Sequence, residues 1–205
     1  MNLNRCQGDF FSACHLINSW HYRRVKEQIR KLDDLLLTIP ISGSSNSAPL
    51  DPRKMTAVLL VGGFNGFGVH TMLGIIRHFP NVYHNFIFVS VAVADSGSFK
   101  GPGAVDALRN STEEGLQKYV NLSRQLGIPA DYRFDLGTEV VDTATRLCDE
   151  IVRKFPNSTF FMGQLVFERI HLFHRLLHNE TAYAIQRRLQ WNGLLTLILP
   201  VRVKG

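Results

Sequence analysis

The sequence predicts an α/β domain built on a doubly wound, five-stranded parallel sheet, preceded by a basic amphipathic helix. Two observations carry this. From Met55 onward, short apolar runs of β character alternate with longer segments of helical character, and a fifth apolar run closes the chain. The runs are continuously apolar rather than alternating, as expected of strands covered on both faces. Strands separated by helices imply right-handed crossovers and one parallel sheet. Such a sheet leaves a ligand crevice outside the carboxyl ends of its strands.

The elements follow in order. Residues 14–37 read as a helix, with Val25, Ile29, Leu32 and Leu36 on one stripe and Arg23, Arg24, Lys26, Arg30 and Lys31 around it. That stripe packs on the domain or a second copy, or else faces anionic headgroups as a juxtamembrane helix. Pro40 to Pro52 is a linker by composition. The chain thus divides into residues 1–54 (tail, basic helix and linker) and 55–205 (the α/β domain).

The first strand is Ala57–Val61. It leads through Gly62-Gly63-Phe-Asn-Gly66-Phe-Gly68 into a helix of about Val69–His78. The second strand is Asn85–Val93, followed by a loop from Asp95 to Gly103 and a helix of about Val105–Leu126. Gly127-Ile-Pro129 stops that helix, as a C-terminal glycine followed by proline should. Strand three takes Asp131–Asp135 and ends by Gly137; the next helix opens at Thr138 and runs to about Phe155. Strand four is Ser158–Met162, followed by Gly163 and a His/Arg-rich segment. The last helix spans about Glu180–Trp191, Asn192-Gly193 caps it, and strand five begins at Leu194.

Composition sets the bounds. The chain has 205 residues, is 45% hydrophobic and 20% charged, and suffices for one ordinary core. Its net charge is +6, and the first 54 residues hold eight Lys/Arg against five Asp/Glu. That is a mild basic bias rather than a nucleic-acid footprint, so no nucleic-acid partner is expected. Cys6, Cys14 and Cys148 form no Cys-x-x-Cys pair and fit a reducing, cytoplasmic setting. No apolar run approaches the roughly 18 residues a membrane helix needs. The start shows no secretory signal.

Few residues suggest chemistry. Gly62, Gly63, Gly66 and Gly68 sit where a strand turns into a helix. There they serve either a tight turn with close helix–strand packing or backbone contacts to an anion. The spacing matches neither the Walker pattern nor Gly-x-Gly-x-x-Gly. Asp95, at the end of strand two, could take a ribose hydroxyl or cap its own loop. His171, His174 and His178 lie at helical spacing without a completing carboxylate or cysteine. Packing is the commoner fate, zinc the rarer. Cys148 falls mid-helix as a small hydrophobe. No nucleophile–base set and no paired carboxylates are visible, so no catalytic role is expected. A hydrolase or transferase would have to use Asp95 or histidines 70, 171, 174 and 178.

The strand order and closing residues resemble the universal stress protein family, whose fold is a nucleotide-binding-like sandwich. Phe160-Phe-Met-Gly163 looks like that family's fourth strand and first phosphate-loop glycine, and Leu195 to Val203 like its closing pattern. ATP-binding members carry an Asp where this chain has Gly62 and a second glycine where it has Val166. They carry a Gly-Ser or Gly-Thr pair where it reads His178-Asn179-Glu180-Thr181. The resemblance therefore implies no obligate cofactor. ATP or ADP is the candidate ligand, over a degraded phosphate loop, with Gly62, Gly63, Gly66, Gly68, Asp95, Gly163, His178 and Asn179 as candidate ligand contacts.

A second likeness covers nearly everything after Ser19. Trp20-His-Tyr-Arg-Arg-Val, Arg30-Lys-Leu-Asp-Asp-Leu-Leu-Leu, Gly62-Gly-Phe-Asn-Gly-Phe-Gly-Val-His-Thr and His178-Asn-Glu-Thr-Ala-Tyr-Ala-Ile-Gln-Arg-Arg-Leu-Gln resemble the cytosolic tail of bacterial amino-acid permeases of the amino acid–polyamine–organocation type. This implies a regulatory or sensory domain that docks on a membrane transport core or forms a homodimer. It implies a place at the cytosolic face of the inner membrane, with helix 20–37 against an anionic membrane surface. The alternative is a free-standing adenine-nucleotide-binding stress protein.

Overall fold

The structure is a computed structural model and describes residues 48–93, 103–167 and 180–203. The expected basic helix, Asp95 and its loop, and His171, His174, His178 and Asn179 lie outside the described residues.

The order of elements is β1 (Thr56–Leu60), α1 (Gly66–His78), β2 (Asn85–Val93), α2 (Gly103–Gln125), β3 (Ala130–Gly137), α3 (Val140–Lys154), β4 (Ser158–Phe167), α4 (Glu180–Trp191) and β5 (Thr196–Val203). All five strands pair in parallel in the order β3-β2-β1-β4-β5. The sheet is the expected one, and its direction of winding reverses between β1 and β4.

Two cores explain why the strands read as unbroken apolar runs. Ala57, Leu59, Phe86, Phe88 and Phe161 face one side, where Val69, Met72 and Ile75 of α1 and Leu116, Tyr119 and Val120 of α2 cover them. The intervening Val58, Ile87, Val89, Phe160 and Met162 face the other side, under Leu147, Cys148 and Ile151 of α3 and Ile185 and Leu189 of α4. The first halves of the central strands are therefore covered on both faces, and their apolar residues run on without a solvent-facing partner to alternate with.

Several boundaries move, each for a physical reason. Helix α1 starts at Gly66 rather than Val69, because Asn65 caps it: its side-chain oxygen accepts the Gly68 N–H at 2.9 Å. Strand β3 starts one residue early, at Ala130, ends at Gly137 as expected, and is only partly buried, as an edge strand should be. Strand β4 does not stop at Met162. It continues to Phe167 because β5 runs alongside, with Gly163 opposite Leu199 and Val166 opposite Arg202. Pro200 is tolerated within β5 because that strand is at the sheet edge. Helices α2 and α4 end where expected, on Gly127 and Gly193, both at φ +78°, a left-handed conformation that costs glycine no Cβ clash.

The chain enters at the amino ends of the strands. Asn85 is buried and holds the entering segment from both sides. Its amide nitrogen donates to the Asp51 carbonyl at 2.8 Å, and its amide oxygen accepts the Asp51 N–H at 3.2 Å. Asn157 donates to the Arg53 carbonyl at 2.9 Å. Among the described residues, no helix is long and apolar enough to cross a membrane.

Candidate functional site

At the reversal point between β1 and β4 the connections leave in opposite directions, and the space outside the strand ends stays open. A cavity of about 400 Å³ occupies it. Leu60, Gly62, Val91, Met162 and Gly163 form its floor. Phe67 and Thr71 of α1, Val140 and Ala144 of α3, and Thr181 and Ile185 of α4 form its walls. That volume lies within the ordinary range for small-molecule sites.

The turn from β1 into α1 is clamped from a distance. Tyr119 of α2, fully buried, donates its hydroxyl to the Gly63 carbonyl at 2.9 Å and accepts the Asn65 N–H at 3.3 Å. Phe64 packs edge-on against the same ring, with centroids 4.8 Å apart. Gly115 lets α2 come this close, since a Cβ there would lie 3.3 Å from the Phe64 nitrogen. Thus Tyr119, Phe64 and Asn65 set the geometry of the cavity mouth.

The candidate glycines separate by role. A Cβ on Gly62 would meet nothing within 4 Å, so Gly62 faces open space. A Cβ on Gly68 would collide with the Tyr119 hydroxyl, so this glycine is required by packing. A Cβ on Gly163 would lie 2.5 Å from Thr71 Oγ1 and 2.6 Å from the Phe67 ring. Gly62, Gly68 and Gly163 line the cavity; Gly63 and Gly66 do not. Gly163 is a mid-strand residue beneath the Phe67 ring rather than the first residue of a loop.

The lining is apolar, and among its described residues it carries no charge. Its polar atoms are mostly engaged: Thr71 Oγ1 donates to the Phe67 carbonyl at 2.8 Å, and the Asn65 oxygen is used by its cap. The first turns of α3 and α4 contain Asp142 and Glu180, whereas the first turn of α1 contains no acidic residue. The amino end of α1 is therefore where the fold best tolerates an anion. Among the described residues, no group of three or more His, Cys, Asp or Glu is placed to hold a metal.

Cys148 packs in the second core, where burial pushes its thiol from an ordinary value of 9.0 up to about 12, with a smaller push from Asp149. The raised value means that the native state holds this proton more tightly than the unfolded chain does. Its contribution to stability is therefore whole below pH 9 and lost as pH rises towards 12. The unfolding free energy of Cys148→Ala, followed by denaturant titration, is expected to fall less steeply than the parent's over that interval. Parallel slopes would contradict the burial.

These features define an open, doubly wound α/β domain with a ligand-sized crevice at its reversal point. Among solved structures, the chain is similar to a crystal structure of a universal stress protein family member from Burkholderia pseudomallei, with a TM-score of 0.50 and 16% identity, covering 78% of this chain and 100% of that one. It is also similar to a universal stress protein from Archaeoglobus fulgidus, with a TM-score of 0.46 and 13% identity over 71% of this chain and 93% of that one. A universal stress protein family protein from Arabidopsis thaliana, solved with AMP bound, gives a TM-score of 0.45 and 12% identity over 71% and 91% of the two chains. The chain has a universal stress protein-like fold. No protein-family model matches it, and no curated protein matches it significantly.

Sequence reasoning located the crevice but missed two residues that shape it. Asn65 had a readable signal, an asparagine just before a helix. Tyr119 had none, because its partner lies in another element.

Proposed function

We propose that this chain is a non-catalytic sensory domain that holds a small ligand in the crevice between β1 and β4, serving as the regulatory tail of an amino-acid permease. The carrying observation is the character of the lining: a ligand-sized, apolar cavity with one unopposed helix start and no reactive pair among its described residues. Such a site suits a flat, apolar body with one small anionic end. A nucleoside or nucleoside monophosphate meets that description better than a triphosphate, for which the described lining supplies no cation. The permease assignment rests on the likeness of the strings at 20–37, 62–71 and 178–190 to the cytosolic tails of those transporters.

A second reading, a free-standing nucleotide-binding stress-type protein, is favoured by one fact: the chain covers the whole length of the Burkholderia stress protein. Co-purification from membranes of its source distinguishes the two. Recovery with a transport core supports the first reading, and recovery from the soluble fraction alone supports the second.

Calorimetry with adenosine, AMP, ADP and ATP tests the crevice itself. The expected result is binding of adenosine or AMP that added phosphates do not strengthen. Gly62→Phe is expected to abolish it while leaving the unfolding transition in place, since the space above Gly62 is empty. Heat from none of the four ligands would sink the nucleoside reading. Undiminished binding by Gly62→Phe would move the site elsewhere.

A further inference from the structure

Helices α3 and α4 turn their inner sides to the second core and the crevice, and their outer sides meet in an open groove of about 880 Å³. Trp191 stands in this groove 89% exposed, more than any other large apolar side chain among the described residues. An indole left in water forgoes the stabilisation that burial brings to a large aromatic side chain, and such residues mark sites of contact. The rest of the lining is polar, and its charges cancel: Asp142, Asp149 and Glu150 against Arg146, Arg153 and Arg188. The groove therefore favours neither an anionic nor a cationic occupant.

The order of the charges is more specific than their sum. Asp142, Arg146, Asp149 and Arg153 follow one another at spacings of four, three and four. That places all four on one stripe of α3, about 60° wide and about 16 Å long. Their signs alternate along it: acid, base, acid, base. On a solvated helix face such residues commonly pair with each other at i, i+4. Here no two members of the stripe pair. Arg146 turns aside to Glu150 at 2.8 Å and to Asp135, and Asp142 approaches Arg188 at 3.7 Å. Asp149 and Arg153 have no ion-pair partner among the described residues.

Such a run of signs is its own complement. Turned end for end by a two-fold axis, the stripe sets acid against base at every position, and each pair occurs twice. A parallel copy in register would set acid against acid and base against base. We propose that the outer face of α3 and α4 is an isologous interface with a second copy of this chain, the two α3 helices crossing antiparallel. Asp142 then faces the partner's Arg153, Arg146 faces the partner's Asp149, and the two Trp191 side chains are enclosed between the copies. Exposed ion pairs contribute little affinity and chiefly fix the register, while burial of the indole supplies the attraction. A contact one helix long is at the small end of stable interfaces, so the dimer is reversible and concentration-dependent. It forms on the side of α3 and α4 away from the crevice and does not depend on a ligand there.

Analytical ultracentrifugation of the full chain tests this. The parent passes from monomer to dimer as its concentration rises. Arg153→Asp sets acid against acid, and Asp142→Arg sets base against base. Each variant alone therefore stays a monomer, with an unchanged melting temperature because both side chains are exposed. Mixed in equal amounts, the two variants recover both outer pairs and form a heterodimer. The double variant Asp142→Arg with Arg153→Asp exchanges the signs and dimerises by itself. Trp191→Ala raises the dissociation constant about thirtyfold. Dimers that persist in both single variants would put the contact on another surface and overturn the proposal. A mixture that stays monomeric would do the same, as would a parent that never dimerises, which would leave the groove to a different partner.

Discussion

Replacing Phe161 with alanine is expected to lower the unfolding free energy by about 3 to 5 kcal/mol, the usual range for removing a buried phenyl ring. Phe161 is fully buried at the centre of β4, between Leu59 of β1 and Leu197 of β5. Its ring meets Tyr83 edge-on at 5.3 Å and Phe79 at 5.8 Å. These three rings join the sheet to the turn leaving α1. The hole left by alanine cannot close easily, because strands hydrogen-bonded on both sides hold the backbone in place. Phe161→Leu keeps most of the volume and should cost less than half as much. Denaturant titration of both variants checks this. A loss below about 1 kcal/mol for alanine, well under the range for a filled aromatic site, would show that the first core is not packed as described.

The second large effect is expected at Gly68. Gly68→Ala places a methyl group where the Tyr119 hydroxyl stands. Tyr119 cannot simply yield, since its hydroxyl joins the Gly63 carbonyl and the Asn65 nitrogen, and its ring stacks on Phe88 at 5.1 Å. Overpacking of this kind costs about 2 to 3 kcal/mol. The cost exceeds the small gain of alanine over glycine in a helix. The reason can be tested by a double-mutant cycle. In a Tyr119→Phe background the hydroxyl is gone, so Gly68→Ala should cost clearly less than in the parent. The coupling should fall within about 0.5 to 3 kcal/mol, as for residues in contact. Strictly additive losses would refute the clash. The same variant should weaken any ligand of the crevice, because the turn from Gly63 to Asn65 forms its mouth.

Some of this architecture was readable in advance. β2 and α4 have the bounds their residue patterns predict, because burial on both faces and turn chemistry are local properties. The extension of β4 was not readable. Gly163 looks like a strand-breaker in isolation, yet it lies mid-strand because Phe67 and Thr71 need the space a side chain would fill. The glycine string was readable as a turn at a crevice, but the roles within it were not. Gly62 opens onto the cavity, Gly68 makes way for Tyr119, and the Gly63 carbonyl is tied to α2.

Periodicity and turn residues alone specify a parallel sheet with helices on both faces and a crevice at its carboxyl end, because each element's apolar pattern records how many of its sides are covered. Which glycine is open and which is filled, how far β4 runs, and which exposed side chains share a surface emerge only on folding. Those properties depend on the approach of atoms far apart in the chain, and no local pattern encodes that distance.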